Sequence, residues 1–427
     1  MLTVRLLVIA VLVLLSAHLG AAEVHVTVYR DTDASSSTDF FQEVGDEDTV
    51  LAGVAVTAFV GGAEPAVVTT DDAGVAAFPG AAAGAQLFRV DAPEGARATS
   101  RNHAAHLFEV LEAGGPLDYV ALGDSSPVEG SATGQRYPER LGAMLQPHFP
   151  AGVTVHNLAE GGSTTSMWLP GSPYMLLKED AIAAADLITM TIGGNDLVDA
   201  ISLGDINAAL AQVDETFANI ANIATIYAKL RELNPDADIV FTIYPNYIKA
   251  DFWQAELGAE TVAVVRNIIE SIITQMRRDL SANPGMLLGD VHGSLKDADM
   301  NLVMADKLHV NDTGHQVYAD VVFGALGGVI VPAEGDVAKL FGWADWPDVV
   351  VPVPDEAASD ADIANADIAG DDAAQGADAN DPAGGGDGGS GCAVGGPGAT
   401  SSPLLVLALA LVLPAIRRPR RAHGGVR

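Results

Sequence analysis

Residues 117–125 read LDYVALGDS, an apolar run that ends in a tight turn. Four similar runs follow, VTVHN, DLITMTI, DIVFTIY and GMLLGD, and segments with helical spacing lie between several of them. Continuous apolar strands that alternate with helices predict a parallel sheet covered on both faces. We therefore expect a three-layer α/β domain over residues 116–332.

The turns after these strands hold the side chains that could carry chemistry. The first strand ends in GDSS, the second in NLAEGG and the third in GGND, while DKLHVNDTGH precedes the last predicted helix. Because sites in open parallel sheets form at the carboxyl ends of strands, we expect these four segments to meet at one edge of the sheet.

Together the four segments supply every part that acyl transfer requires. Ser125 provides a hydroxyl nucleophile, and His309 with Asp306 provides a base and the carboxylate that orients it. The N–H groups of Ser125 and Gly162 and the amide of Asn195 are candidate oxyanion donors, each of which contributes about 3–4 kcal/mol in such sites. The predicted chemistry is acyl transfer to a serine, and it requires no metal in this domain.

The same four blocks resemble the SGNH, or GDSL-type, hydrolase family over roughly residues 116–328. The matching positions are Ser125 in the first block, Asn157 and Gly162 in the second, Gly193, Asn195 and Asp196 in the third, and Asp306, His309, Asn311 and Gly314 in the last. The resemblance implies a flavodoxin-like parallel sheet and a catalytic set of Ser125, Asp306 and His309. Ser126, where many members carry an aliphatic residue, is a rival nucleophile, and Gly161 is a second oxyanion candidate.

The stretch DKLHVNDTGHQVYAD contains the spacing Asp-x-x-His twice. The apolar residues after it predict a helix that starts near residue 311 or 312, with Asp312 as its cap. His315 would then lie in the first turn, where the helix dipole disfavours an imidazolium. Asp306 and His309 precede the helix on a loop. His309 is therefore the predicted general base, and Asp306 is the carboxylate that orients it.

The natural substrate is less well defined by the sequence. Two aromatic loops, SMWLPGSPYM and YPNYIKADFW, follow strands near the site end and could line an acyl or sugar groove or simply pack. We expect a secreted, surface-anchored serine esterase or lipase that hydrolyses carboxylic esters. The alternatives are a polysaccharide O-acetyl esterase of the same mechanism and a non-catalytic surface adhesion protein.

Residues 23–95 consist of short alternating runs separated by Gly and Asp turns, which predicts a small β-sandwich. The order GVAVTAF, VVTTDDAGVAAF, AQLFRV resembles the prealbumin-like SdrD B-like modules of bacterial surface proteins. That resemblance implies a calcium site, for which the candidates are Asp31, Asp33, Asp39 and Glu47. A solvated acidic loop is the alternative. Residues 96–115 are a predicted connector.

The two ends of the chain predict export. Residues 1–22 have a basic start, an apolar core and small residues before Glu23, as in a secretory signal peptide; an uncleaved anchor is the alternative. Residues 333–391 form an Asp/Ala/Gly-rich acidic linker. Residues 392–427, with Cys392, a short apolar run and an arginine cluster, resemble a MYXO-CTERM-type sorting tail; a plain membrane anchor is the alternative.

Bulk composition limits the classes of partner. The chain has 427 residues, with 22 basic and 56 acidic side chains and a formal charge of −34. A chain with this net negative charge repels the phosphate backbone of nucleic acids. Nucleic acid is therefore not an expected partner. With one cysteine the chain can form no internal disulfide. The expected partners are an ester substrate and the export and sorting machinery, at the cell surface or outer membrane.

Overall fold

A computed structural model describes residues 22–32, 44–93, 97–98, 103–196, 213–281, 283 and 285–344. Residues 1–21 of the predicted signal peptide and the chain beyond residue 344, with the sorting tail, lie outside these described residues, whereas Ala22 begins the first strand. Among the described helices, none is both long enough and apolar enough to cross a bilayer.

The strands are β1 (Ala22–Arg30), β2 (Thr49–Val50), β3 (Ala55–Val60), β4 (Ala66–Thr69), β5 (Val75–Ala81), β6 (Gly84–Val90), β7 (Arg97–Ala98), β8 (Leu117–Gly123), β9 (Val153–Asn157), β10 (Leu187–Thr191), β11 (Asp238–Ile243), β12 (Met286–Asp290), β13 (Gly328–Val331) and β14 (Val337–Ala344). The helices are α1 (His106–Ala113), α2 (Tyr137–Leu145), α3 (Pro173–Leu176), α4 (Glu179–Ala184), α5 (Val213–Leu233), α6 (Asp251–Leu257), α7 (Ala259–Ser281), α8 (Val291–Ser294), α9 (Met300–Val303) and α10 (Asp312–Ala325). Short 3-10 turns occupy Thr165–Trp168 and Tyr247–Lys249.

The α/β domain is built on a parallel sheet with the strand order β12-β11-β10-β8-β9. Every residue of the inner strands β10 and β11 is buried, because layers cover both faces of the sheet. The edge strand β9 alternates between exposed and half-buried residues instead. Burial on both sides is the physical reason that the inner strands read as unbroken apolar runs.

The strand order reverses direction between β8 and β10, which creates a topological switch point. Because crossovers between parallel strands are right-handed as a rule, those on the two sides of that point are expected to place helices on opposite faces of the sheet. Helix α2 packs against α10, and α5 packs against α7. The predicted three-layer, flavodoxin-like fold is therefore confirmed, and the crevice at the carboxyl ends of β8 and β10 is the expected place for a ligand.

The predicted β-sandwich consists of two small sheets. One has the order β2-β1-β14-β7, with β5 also paired to β1, and the other has the order β13-β6-β3-β4. Their facing side chains form a separate apolar core that includes Val24, Val26, Val56, Phe88 and Phe341.

The domain boundaries drawn from the sequence were wrong at the C-terminal side. Residues 328–344 do not end the hydrolase domain and start the acidic linker; they form two strands of the sandwich. Strand β14 pairs in parallel with β1, from Val24 with Val337 to Arg30 with Trp343, and β13 pairs with β6. The α/β domain is thus inserted into the β-module. The predicted connector at residues 96–115 contains β7 and α1.

Candidate active site

The proposed nucleophile follows the end of β8 in a turn that only glycine can initiate. Gly123 has a φ of 122°, and a Cβ atom on it would lie 2.0 Å from the main-chain oxygen of Thr191 on β10. The next residue, Asp124, donates its main-chain N–H to that same oxygen at 2.9 Å. Close approach of β8 to β10 therefore presents Ser125 above the switch point of the sheet.

Asp124 is a buried carboxylate that organises this turn. One oxygen accepts the N–H of Ser126 at 2.9 Å, and the other accepts the hydroxyl of Tyr244, which follows β11. Burial raises the pKa of Asp124 to about 6, although the bonds from Tyr244 and Ser126 oppose the rise. The carboxylate thus ties the nucleophile turn to the neighbouring strand.

The base and its orienting carboxylate lie in a tight turn before α10. Nδ1 of His309 is 2.9 Å from Oδ2 of Asp306, whose Oδ1 accepts the N–H groups of Leu308 and His309, each at 2.8 Å. Burial opposes ionisation of Asp306, but these hydrogen bonds outweigh it and lower the pKa of the carboxyl. A bridge between Met304 and Val310 closes the base of the turn.

This turn brings the imidazole to the nucleophile. Nε2 of His309 lies 3.0 Å from Oγ of Ser125, within hydrogen-bonding reach for proton transfer. The structure therefore brings Ser125 together with His309 and Asp306, which lie far downstream in the sequence, in the geometry of a nucleophile, a base and its orienter.

The predicted oxyanion residues line the same pocket. It has a volume of about 220 Å³, and its lining residues are Asp124, Ser125, Ser126, Glu129, Gly162, Gly194, Asn195, Tyr244, Tyr247, Leu308 and His309. The Nδ2 atom of Asn195 donates to the main-chain oxygen of Ser163 at 2.9 Å, which holds the amide beside the loop that carries Gly162.

Two other residues of the sequence blocks have structural roles. The side chain of Asp196 accepts the N–H and the hydroxyl of Thr165, at 2.9 and 2.8 Å, so it ties the end of β10 to the loop after β9. Nδ2 of Asn157 donates to the main-chain oxygen of Pro127 at 2.8 Å and so holds the loop that follows Ser125.

The prediction that Asp312 caps the last helix was wrong. Asn311 is the cap, since its side-chain oxygen accepts the N–H groups of Thr313 and Gly314 at 2.9 and 3.2 Å. Hydrogen bonds from Thr133 and Ser131, with a further one from Arg140, instead hold Asp312 and lower its pKa to about 2. An adjacent Asn and Asp are both good caps, and only the tertiary partners of Asp312 decide between them.

His315 lies in the first turn of α10, as expected, and is completely buried. Its Nε2 atom is 2.8 Å from the main-chain oxygen of Glu129, and burial lowers its pKa. It therefore contacts the back of the nucleophile loop and does not line the pocket.

The two aromatic loops have different positions. Tyr244 and Tyr247 of the second loop line the pocket, whereas Trp168 of the first is buried and donates its indole N–H to Ser163 at 2.9 Å. The second loop thus lines the pocket, which is one of the two roles that the sequence left open for it. Sequence reasoning missed Glu129 as a site residue, because nothing in the residues around it signalled a place in the site.

The candidate calcium residues are only partly described. Asp31 is buried at the end of β1 and donates its main-chain N–H to Trp343, and Glu47 is exposed. Asp33 and Asp39 lie outside the described residues, so calcium binding stays a prediction. Elsewhere in the described part of the module, Glu23, His25 and Asp336 have ligand atoms within 4.8 Å of one another, as exposed polar groups commonly do without a metal.

Comparison with known proteins identifies a family for the α/β domain. Residues 121–317 match the GDSL-like Lipase/Acylhydrolase family. They form a GDSL-type domain. The GDSL domain is an ester hydrolase, and the family match runs from strand β8 into helix α10 and so includes every segment that lines the pocket.

Solved structures similar to the chain include two lipases and an esterase. An extracellular lipase from Streptomyces rimosus is 21% identical, with a TM-score of 0.37, over 49% of this chain and 99% of its own. Lipase Lip_vut3 from a goat rumen metagenome is 18% identical, with a TM-score of 0.39, over 51% and 100%. The acetylxylan esterase Axe2 from Geobacillus stearothermophilus is 20% identical, with a TM-score of 0.35, over 51% and 96%. No curated protein matches the chain.

Proposed function

We propose that the GDSL domain hydrolyses carboxylic esters through Ser125, His309 and Asp306. The observation that carries this proposal is the unbroken chain of contacts from Oγ of Ser125 to Nε2 of His309, at 3.0 Å, and from Nδ1 to Asp306, at 2.9 Å, beside an open pocket.

The mechanism follows from these contacts. His309 takes the proton of Ser125 as the hydroxyl attacks the ester carbonyl, and Asp306 fixes the imidazole with Nε2 facing the nucleophile. The N–H groups of Ser125 and Gly162 and the amide of Asn195 are the proposed donors to the oxyanion. His309 then gives the proton to the departing alcohol. Water, activated by the same imidazole, releases the acid and restores Ser125.

Kinetics on p-nitrophenyl esters of increasing acyl length test this assignment. Ser125→Ala should lower kcat by about 10⁴-fold or more. Ser126→Ala is the matched control, because it removes a neighbouring hydroxyl from the same pocket and should leave measurable turnover. Loss of activity in Ser126→Ala with retention in Ser125→Ala would overturn the choice of nucleophile.

A second candidate is an O-acetyl esterase that acts on a polysaccharide. The pocket volume of about 220 Å³ favours it, since pockets that enclose larger ligands measure about 300–1,000 Å³. Preference for acetyl over long-chain esters, together with acetate release from an acetylated glycan, would support this candidate over a lipase. Absence of turnover on every ester would instead support a non-catalytic adhesion protein.

We further propose that the protein is exported and held at the cell surface. The apolar leader at the start of the chain, the acidic segment from residue 345 to residue 391 and the tail around Cys392 support this proposal. Fractionation of producing cells, with protease added to intact cells, tests it. Protein found wholly in the cytoplasmic fraction would contradict it.

A further inference from the structure

A carboxylate other than Asp306 lies close to Nε2 of His309, the nitrogen that transfers the proton in the proposed mechanism. Oε2 of Glu129 lies 3.4 Å from Nε2 of His309, and Oγ of Ser125 lies 3.0 Å from that same nitrogen. In the proposed reaction Nε2 delivers the proton to the oxygen of the leaving alcohol. The carboxylate of Glu129 therefore lies where the alcohol portion of the substrate must pass.

The main chain around Glu129 is held on several sides. Its N–H donates to the main-chain oxygen of Ser125 at 2.8 Å, and its own oxygen contacts His315. The next residue, Gly130, has a φ of 90°, and a Cβ atom there would lie 2.1 Å from the main-chain oxygen of Val310. The loop is thus packed against the segment that carries His309, and the half-exposed side chain of Glu129 lines the pocket from this loop.

No fixed cation offsets this charge within the described part of the pocket. Its lining residues include neither lysine nor arginine. Three cations elsewhere in the domain have carboxylate partners of their own: Lys178 pairs with Glu160, Arg140 with Asp312, and Lys307 with Glu256. The negative charge of Glu129 therefore acts on whatever ester enters.

We propose that Glu129 is a specificity-determining residue that selects the charge of the alcohol portion of the substrate. Esters of uncharged or cationic alcohols are turned over, and esters whose alcohol carries a phosphate, sulfonate or carboxylate near the ester oxygen are disfavoured. The inference rests on the proposed function and narrows its substrate class. It makes acyl groups on neutral or amino sugars better substrates than acyl groups beside an anionic headgroup.

Three acetate esters of similar size but different charge test the inference on the full chain. They are acetylcholine, which is cationic, 3,3-dimethylbutyl acetate, which is neutral and isosteric with it, and 3-sulfopropyl acetate, which is anionic. For the wild type, kcat/KM should fall in that order by about three- to tenfold a step, as expected for charges several ångströms apart at a partly exposed site. Added salt should compress the series.

For the variants, the measured quantity is the ratio of kcat/KM between two esters. A loss of activity that affects all esters equally leaves this ratio unchanged. In Glu129→Gln the cationic-to-anionic ratio should collapse towards one, and in Glu129→Lys it should invert. Glu334→Gln, which removes one exposed charge from the β-module, is the matched control and should keep the wild-type ratio. Equal turnover of all three esters by the wild type, or an unchanged ratio in Glu129→Gln, would overturn the inference and leave ester hydrolysis standing. If no ester of any kind is turned over, both the inference about Glu129 and the proposed ester hydrolysis are overturned.

Discussion

Nε2 of His315 lies 2.8 Å from the main-chain oxygen of Glu129, and the side chain is completely buried beneath the loop that starts at Ser125. The second Asp-x-x-His spacing of the chain thus supports the segment that carries the proposed nucleophile. Asp312 contributes to the same support through Ser131, Thr133 and Arg140.

The two histidines should therefore respond differently to substitution. His309→Ala removes the base and should lower kcat/KM by about 10³-fold or more while the melting temperature stays close to that of the wild type. His315→Ala leaves the Glu129 carbonyl without its partner and opens a cavity, which should cost about 1–3 kcal/mol of stability and a smaller part of the activity. Ester kinetics and thermal denaturation of both variants check this. The opposite pattern would exchange the two roles.

Titration of the buried Asp124 should make the free energy of unfolding depend on pH. Burial raises its pKa from 3.8 to about 6 in the folded protein, so the folded state binds more protons than the unfolded chain between these values. The contribution of Asp124 to the free energy of unfolding therefore falls as pH rises through that window, by roughly 2–3 kcal/mol. Urea denaturation of the wild type and of Asp124→Asn measures it. A difference between them that is constant with pH would contradict the shift.

Lys339 predicts a pH effect of opposite sign in a more alkaline range. Its Nζ donates to the main-chain oxygen of Gly324, near the end of α10, at 2.8 Å, and burial lowers its pKa from 10.5 to about 8. The unfolded chain binds the extra proton between these values, so stability rises with pH across the window by roughly 1–3 kcal/mol. Lys339→Met should abolish this rise. Chemical denaturation across the window is the measurement, and a rise that persists in the variant would assign it to another group.

Truncation should show that the β-module needs the C-terminal strands. A chain that ends at Gly327 lacks β13 and β14, so β1 loses a neighbour and the sandwich core loses Phe341 and Trp343. We expect its module to melt at a lower temperature and to be cleaved readily by proteases. A chain that ends at Val350 keeps both strands and serves as the control. Equal protease resistance of the two chains would argue against the inserted arrangement.

Calcium binding to the module can be tested by removing the ion. If Asp31 and Glu47 bind calcium together with Asp33 and Asp39, a chelator should lower the melting temperature of the module, and added calcium should restore it. Asp33→Asn should reduce the response. The ester hydrolase activity should be insensitive to the chelator, which separates the two domains in one experiment. A melting temperature that does not change with either addition would favour the solvated acidic loop.

Much of the α/β domain could be predicted because its signals are local. The inner strands must be apolar along their whole length, since both faces are buried, and the turns after them show the Gly, Ser and Asn that a site requires. Ser125 follows from that pattern, and His309 with Asp306 follows from the Asp-x-x-His spacing on the loop before the last helix. The structure places the three residues in hydrogen-bonding contact. The end of the sandwich was not predictable in this way, because β14 finds its partner β1 at the opposite end of the folded chain.

The sequence by itself determined which segments of the α/β domain become its sheet strands and which residue types meet at the carboxyl ends of β8, β9 and β10. The apolar patterns of strands and helices involve residues that are close together in the sequence, so they can be recognised from the sequence alone. Only the tertiary structure decided that Asn311 caps α10, that β14 completes the sandwich and that Glu129 stands beside His309. Each of these depends on which distant group offers a hydrogen bond, a strand edge or a charge, and that partner exists only once the chain has folded.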